Sequence, residues 1–162
     1  MLCLADMDNE ALEVSAPAGR HAEVLLAEDD RELRRFLVEV LQRDGYRIIE
    51  AESGHDLLDR LWERSRSKCG FDLIISDNRM PGATGLAVLE GLRNECEPPI
   101  GDTPIILITA FGDPKVHAEA ERLGAVVFDK PFDIDSLREC AVKMVKPVDP
   151  FDSLYCEHGG RG

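Results

Sequence analysis

From Glu23 onward the chain alternates between two kinds of apolar pattern. Short runs of strand length occur at Glu23-Val24-Leu25-Leu26-Ala27, Tyr46 to Ala51, Phe71 to Asp77, Pro104 to Ile108 and Ala125 to Phe128. The unbroken Leu73-Ile74-Ile75 stretch fits a central strand covered on both faces. Between these runs, apolar residues recur three and four positions apart, as on one face of a helix. Leu33, Phe36, Leu37, Val40 and Leu41 mark the first such face, with Asp30 as its cap and Gly45 closing it. Ser53 caps a second helix, whose Leu57, Leu58, Leu61 and Trp62 are expected to point inward. Leu86, Leu89 and Leu92 mark a third, followed by a loop from Asn94 to Thr103. Asp113-Pro114 opens a fourth, a cap followed by proline at the first helical position. Its apolar face is thin, with Val116, Ala120 and Leu123, and it stops at Gly124. Ile134, Leu137, Ala141, Met144 and Val145 mark the last helix, which Pro147 ends.

Strands alternating with helices predict an α/β fold: a doubly wound five-stranded parallel sheet with helices on both faces. Right-handed crossovers leave few topologies, and the flavodoxin-like order 2-1-3-4-5 is the natural one. Residues 1–20 read as a flexible leader, 21–146 as the folded domain and 147–162 as a flexible polar tail. The predicted order brings the carboxyl ends of strands one, three, four and five to one edge, where open α/β sheets keep their chemistry. Those ends are polar. The first supplies Glu28 and Asp29, the third Asp77, the fourth Thr109 and the fifth Lys130. Asp30 is assigned to the helix cap rather than to this group.

Composition narrows the function. The chain has 162 residues, 44% apolar and 31% charged, enough for one domain with an ordinary core. No apolar run is long enough to span a bilayer, and the first residues lack the regions of a signal peptide. The expectation is a cytoplasmic protein with no membrane insertion. A net charge of −13 argues against direct contact with nucleic acid. Cys3, Cys69, Cys96, Cys140 and Cys156 are scattered, with no CxxC pair, which argues against zinc and against a disulfide framework. His21, His55, His117 and His158 are isolated and read as solvated.

Four motifs, LLAEDD, DLIISDNRMPG, PIILITA and DKPF, follow one another in this order. Together they resemble the receiver domain of two-component response regulators, over Glu23 to Lys146, in a stand-alone form with no output segment after Lys146. Crowded carboxylates repel one another, a divalent cation removes that cost, and oxygen-only donors suit Mg²⁺. The resemblance implies that Glu28, Asp29, Asp77 and the backbone carbonyl of Arg79 hold Mg²⁺. It makes Asp77 the acceptor of a phosphoryl group from a histidine kinase or histidine phosphotransfer protein, with Lys130 and Thr109 contacting phosphoryl oxygens. It also implies a cis bond at Lys130-Pro131. Such a domain catalyses only its own phosphorylation and dephosphorylation. It reports to a downstream protein through its fourth helix, fifth strand and fifth helix.

Two departures stand out in the switch region. The stretch from Gly124 to Lys130 is one residue short of the family spacing. Val127 stands where the family carries an aromatic, and the adjacent Phe128 should face the other way. Two rivals are weighed. An aspartate-nucleophile phosphohydrolase of the haloacid dehalogenase type needs a DxD motif after the first strand, where this chain has Glu28-Asp29-Asp30. A pseudo-receiver that never takes phosphate is opposed by the intact Glu28, Asp29, Asp77, Thr109 and Lys130.

Overall fold

The computed structural model describes residues 21–110 and 113–147. The leader, and the tail beyond Pro147, lie outside the described residues. In chain order the elements are β1 (Glu23–Ala27), α1 (Arg31–Arg43), β2 (Arg47–Ala51), α2 (Gly54–Arg66), β3 (Leu73–Asp77), α3 (Gly85–Glu95), β4 (Ile105–Thr109), α4 (Pro114–Arg122), β5 (Val126–Asp129) and α5 (Ile134–Met144). The strands form one parallel sheet in the order β2-β1-β3-β4-β5, as the alternation predicts.

Strand side chains point alternately to the two faces, and each face of this sheet has its own core. Leu25 and Ala27 of β1, Ile74 of β3 and Ile105 and Leu107 of β4 enter one cluster, with Leu57 and Leu61 of α2, Val88, Leu89 and Leu92 of α3 and Ala120 of α4. Val24, Leu26, Leu73, Ile75, Ile106 and Ile108 enter the other, with Leu37 and Leu41 of α1 and Leu137 and Ala141 of α5. Two covered faces explain why β1, β3 and β4 are apolar at consecutive positions. Each fully buried side chain of this size contributes about 1.5–3 kcal/mol. Val127 packs with the first cluster and Phe128 with the second, where its ring meets Phe132 edge-on at 6.3 Å.

The caps form at the expected residues. Asp30, Ser53 and Asp113 each accept hydrogen bonds from backbone amides of the helix they open. Gly45 adopts φ +92°, a left-handed conformation that costs a side-chain-bearing residue about 1–2 kcal/mol.

Several inward assignments are corrected. Phe36 is 47% exposed, Leu58 42% and Trp62 71%. The sheet contacts a narrower stripe of each helix than the apolar residues occupy. On α1 the inward position three before Leu37 belongs to Arg34, which is buried. Helix α3 runs through Glu95, so the loop after it starts later than expected. Cys69 is disulfide-bonded, a pairing not anticipated by the reading against a disulfide framework. Cysteine spacing does not show which segments the fold brings together. Cys96 and Cys140 are free thiols.

Candidate functional site

In a parallel sheet every strand ends on the same edge, so register decides which end residues become neighbours. Ala27 pairs with Ser76, Asp77 with Ile108 and Thr109 with Asp129. The residue after each of β1 and β5 therefore stands beside the last residues of β3 and β4. The structure brings Glu28, Asp77, Thr109 and Lys130 to this edge, and Asp29 joins them from the loop after β1.

The carboxylates converge. Ligand oxygens of Glu28, Asp29 and Asp77 all lie within 4.8 Å of one another. Glu28 and Asp77 are buried, at 1% and 4% exposed, while Asp29 is open to solvent. Burial pushes the Glu28 carboxyl above the usual carboxylate range, and the Asp77 charge adds to that shift. Burial likewise pushes Asp77 up, against the pull of Lys130, with the Asp29 charge adding to the rise. The Lys130 ammonium lies 3.1 Å from Glu28 Oε2 and 3.5 Å from Asp77 Oδ2. Burial alone would lower the Lys130 pKa, but the hydrogen bond it donates to Glu28 and the charges of Asp77 and Glu28 hold it above the usual lysine range. One cation set against three carboxylates leaves an excess of negative charge. A cluster of oxygen donors with excess negative charge fits a hard divalent cation such as Mg²⁺.

Backbone contacts hold the edge in shape. The Glu28 amide donates to Ala51 O at 3.1 Å, and Glu28 Oε1 accepts from the Asp30 amide at 3.1 Å. The Arg79 amide donates to Asp77 Oδ1 at 3.3 Å, so this residue meets the site through its main chain. The Lys130 amide donates to Thr109 O at 2.7 Å, tying β5 to β4 beside Asp77. The Lys130-Pro131 bond is cis, as the resemblance implies. Asp30 is spent on its cap, where the Leu33 amide chiefly holds its carboxyl below the usual range.

Sequence reasoning missed two supporting residues. Asn78 fastens the loop after β3: its amide donates to Ile108 O at 2.7 Å, its carbonyl accepts from Gly85, and its Oδ1 accepts from Leu86. An Asn directly after Asp77 was the available signal. Arg34 was the other, and its signal was a cation at an inward helical position. One histidine is less isolated than expected: His117 Nε2 lies 2.8 Å from Asp129 Oδ1, joining α4 to β5.

Removing one carboxylate should separate repulsion from binding. Asp29→Asn is expected to melt at a higher temperature than wild type without metal, because one of three crowded charges is gone. The same change should weaken Mg²⁺ binding by more than about tenfold, the loss that even an outer-shell change can bring. Thermal melts and Mg²⁺ titration by calorimetry check the two halves. Unchanged affinity would remove Asp29 from the metal site.

A family model described as the response regulator receiver domain matches residues 24–142. Sporulation initiation phosphotransferase F of Bacillus subtilis is 32% identical over 126 residues, covering 77% of this chain and 94% of that protein. The C4-dicarboxylate transport transcriptional regulatory protein DctD of Pseudomonas aeruginosa is 33% identical over 123 residues; the match takes in 75% of this chain but spans 25% of that longer protein. Among solved structures, the response regulator protein TrrA of Thermotoga maritima, in complex with Mg²⁺ and BeF, superimposes with a TM-score of 0.64. It is 30% identical, over 76% of this chain and 99% of that one.

Proposed function

The chain belongs to the response regulator receiver domain family, and from that premise we propose that it is a phosphoryl-accepting switch whose acceptor is Asp77. The observation that carries this reading is the convergence of the Asp77 carboxylate with Glu28, Asp29 and Lys130 on one sheet edge. The donor is a phosphohistidine on a histidine kinase or phosphotransfer protein. An Asp77 carboxylate oxygen attacks phosphorus, the phosphorus–nitrogen bond breaks, and the imidazole leaves with the bonding pair and takes up a proton. Such transfers need charge neutralisation and in-line positioning more than covalent assistance.

The residues divide the work. Burial keeps Asp77 from being wholly hydrated, so little solvent must be shed before attack. Lys130 supplies a compact positive charge within reach of the new phosphoryl oxygens. Thr109 ends the neighbouring strand and offers a hydroxyl. Glu28, Asp29, Asp77 and the Arg79 carbonyl would hold Mg²⁺, which when bound offsets the charge of the carboxylates and the incoming phosphoryl group. Cytoplasmic placement and a protein target belong to the same proposal. Among the described residues no helix is long and apolar enough to cross a membrane.

The test is incubation with Mg²⁺ and a small phosphodonor. The expected product is an acyl phosphate, stable in acid and lost in base, mapping to Asp77. A phosphate that withstands hydroxylamine, which cleaves acyl phosphates, would mean a hydroxyl ester, and no product would favour the pseudo-receiver.

Output should pass through α4, β5 and α5. A phosphoryl group adds roughly −1.5 to −2 charges beside Thr109. Helix α4 follows β4 closely and buries little, with Ala120 its fully buried residue. It is therefore the element that shifts at least cost. Val127 cannot act as an aromatic rotamer, so coupling runs through backbone and helix packing, at about 1–3 kcal/mol. Amide exchange with and without beryllofluoride should change across residues 113–123 as well as around Asp77. Changes confined to the Asp77 loop would place the output face elsewhere.

A further inference from the structure

Arg34 is a cation with 6% exposure, on the inward side of α1, and the phosphoryl chemistry above makes no use of it. A buried charge is costly unless it is paired and hydrogen-bonded. Two arms of the guanidinium meet that cost directly: Nε donates to Glu50 at 3.1 Å and Nη2 to Glu52 at 3.0 Å. The third arm does something else. Nη1 donates at 2.7 Å to a neutral acceptor, the main-chain carbonyl of Glu28.

That carbonyl belongs to the peptide joining Glu28 to Asp29. Its plane sets the direction of Glu28 relative to Asp29, two of the three convergent carboxylates. On the other side of Glu28 the amide is held by Ala51 O. The Glu28 main chain is thus gripped at both its donor and its acceptor, by β2 and by α1. Resting on the proposed Mg²⁺ site, we infer that Arg34 is a positioning residue for that site. It fixes the Glu28–Asp29 peptide so that the carboxylates converge before the cation arrives. Glu50 and Glu52 anchor the guanidinium, and the planar fork spans all three acceptors at once. A lysine ammonium has no such fork.

Three variants of the full chain test this by Mg²⁺ calorimetry and thermal melting at one pH. Arg34→Ala and Arg34→Lys are each expected to weaken Mg²⁺ binding by about 10–100-fold, as loss of an outer-shell support does. Leu41→Ala opens a cavity on the same helix and leaves the carbonyl contact in place, so it should lower the melting temperature and leave Mg²⁺ affinity unchanged. Should Arg34→Ala fail to fold, Arg34→Lys, which keeps the charge, carries the comparison. Arg34→Lys binding Mg²⁺ as wild type does would overturn the inference, since charge alone would then suffice. Tighter binding by Arg34→Ala would also overturn it, making Arg34 an opposing charge. So would affinity losses that track melting temperature across all three variants, which a merely structural role predicts. Each of these leaves the metal site standing. Wild type and Asp29→Asn binding Mg²⁺ equally poorly would instead remove the metal site, and this inference with it.

Discussion

Asp77→Asn should take up no phosphate under conditions that label the wild-type chain. The amide is nearly isosteric with the carboxylate, so the strand end and the Arg79 amide contact have a side-chain oxygen to work with. What disappears is the nucleophile, because an amide oxygen cannot yield a stable acyl phosphate. The loss should be complete at the resolution of intact-mass measurement. Lys130→Ala provides the contrast. It keeps the nucleophile and removes a charge that lies 3.5 Å from it. Labelling should then slow by about 10²–10³-fold, the usual effect of deleting one group that stabilises developing charge. The folds of both variants should survive, since neither touches the apolar clusters. Asp77→Asn should even melt higher than wild type without metal, because burial raises the Asp77 pKa and a buried charge is relieved. The sign follows from linkage. A carboxyl raised on folding contributes stability below its unfolded pKa and loses it as pH rises through the folded value. At neutral pH the charged form is therefore a cost that the amide does not carry. Labelling of Asp77→Asn at the wild-type rate would move the acceptor to another carboxylate.

The strands were legible because their constraint is strong and local. A parallel strand covered on both faces must be apolar at successive positions, and Leu73-Ile74-Ile75 or Ile105-Ile106-Leu107 meets that constraint. Topology then followed from the alternation, and topology put Glu28, Asp77, Thr109 and Lys130 on one edge. Helix faces were less legible. Phe36 and Trp62 sit at helical spacing from true core residues, yet the sheet has no surface left to cover them. Arg34 shows the converse. A charged residue took an inward position because Glu50, Glu52 and the Glu28 carbonyl, all distant in sequence or on the main chain, can satisfy it there. Spacing records where a side chain points but not what waits for it. Lys130 was placed at the site by its strand, while its pairing with Glu28, 102 residues away, needed coordinates.

Gly54→Ala should destabilise the protein, although alanine is the better helix former. Gly54 opens α2 directly after the Ser53 cap. Helix propensity alone favours alanine by up to about 1 kcal/mol. Space decides the other way. A Cβ on Gly54 would lie 2.7 Å from Ala83 Cα and closer still to that residue's N and O. All three are main-chain atoms, which cannot swing aside as a flexible side chain would. The Gly54 amide also donates to Pro81 O at 2.9 Å, so α2 is pressed against the loop that follows Asp77. Relief requires α2 or the 78–84 loop to move. Overpacking of this kind costs about 1–3 kcal/mol, and a backbone clash belongs at the upper end. Gly91→Ala supplies the control. Gly91 lies inside α3, where an added Cβ meets nothing within 4 Å. There propensity should win, with a gain of up to about 1 kcal/mol. Urea unfolding of the two variants should therefore shift in opposite directions. The Gly54 change should also slow labelling of Asp77, because the displaced loop carries the Arg79 amide that donates to its carboxylate. A Gly54→Ala protein as stable as wild type, and labelled as fast, would show that α2 and the loop move apart freely, and that the helix plays no part in holding the site.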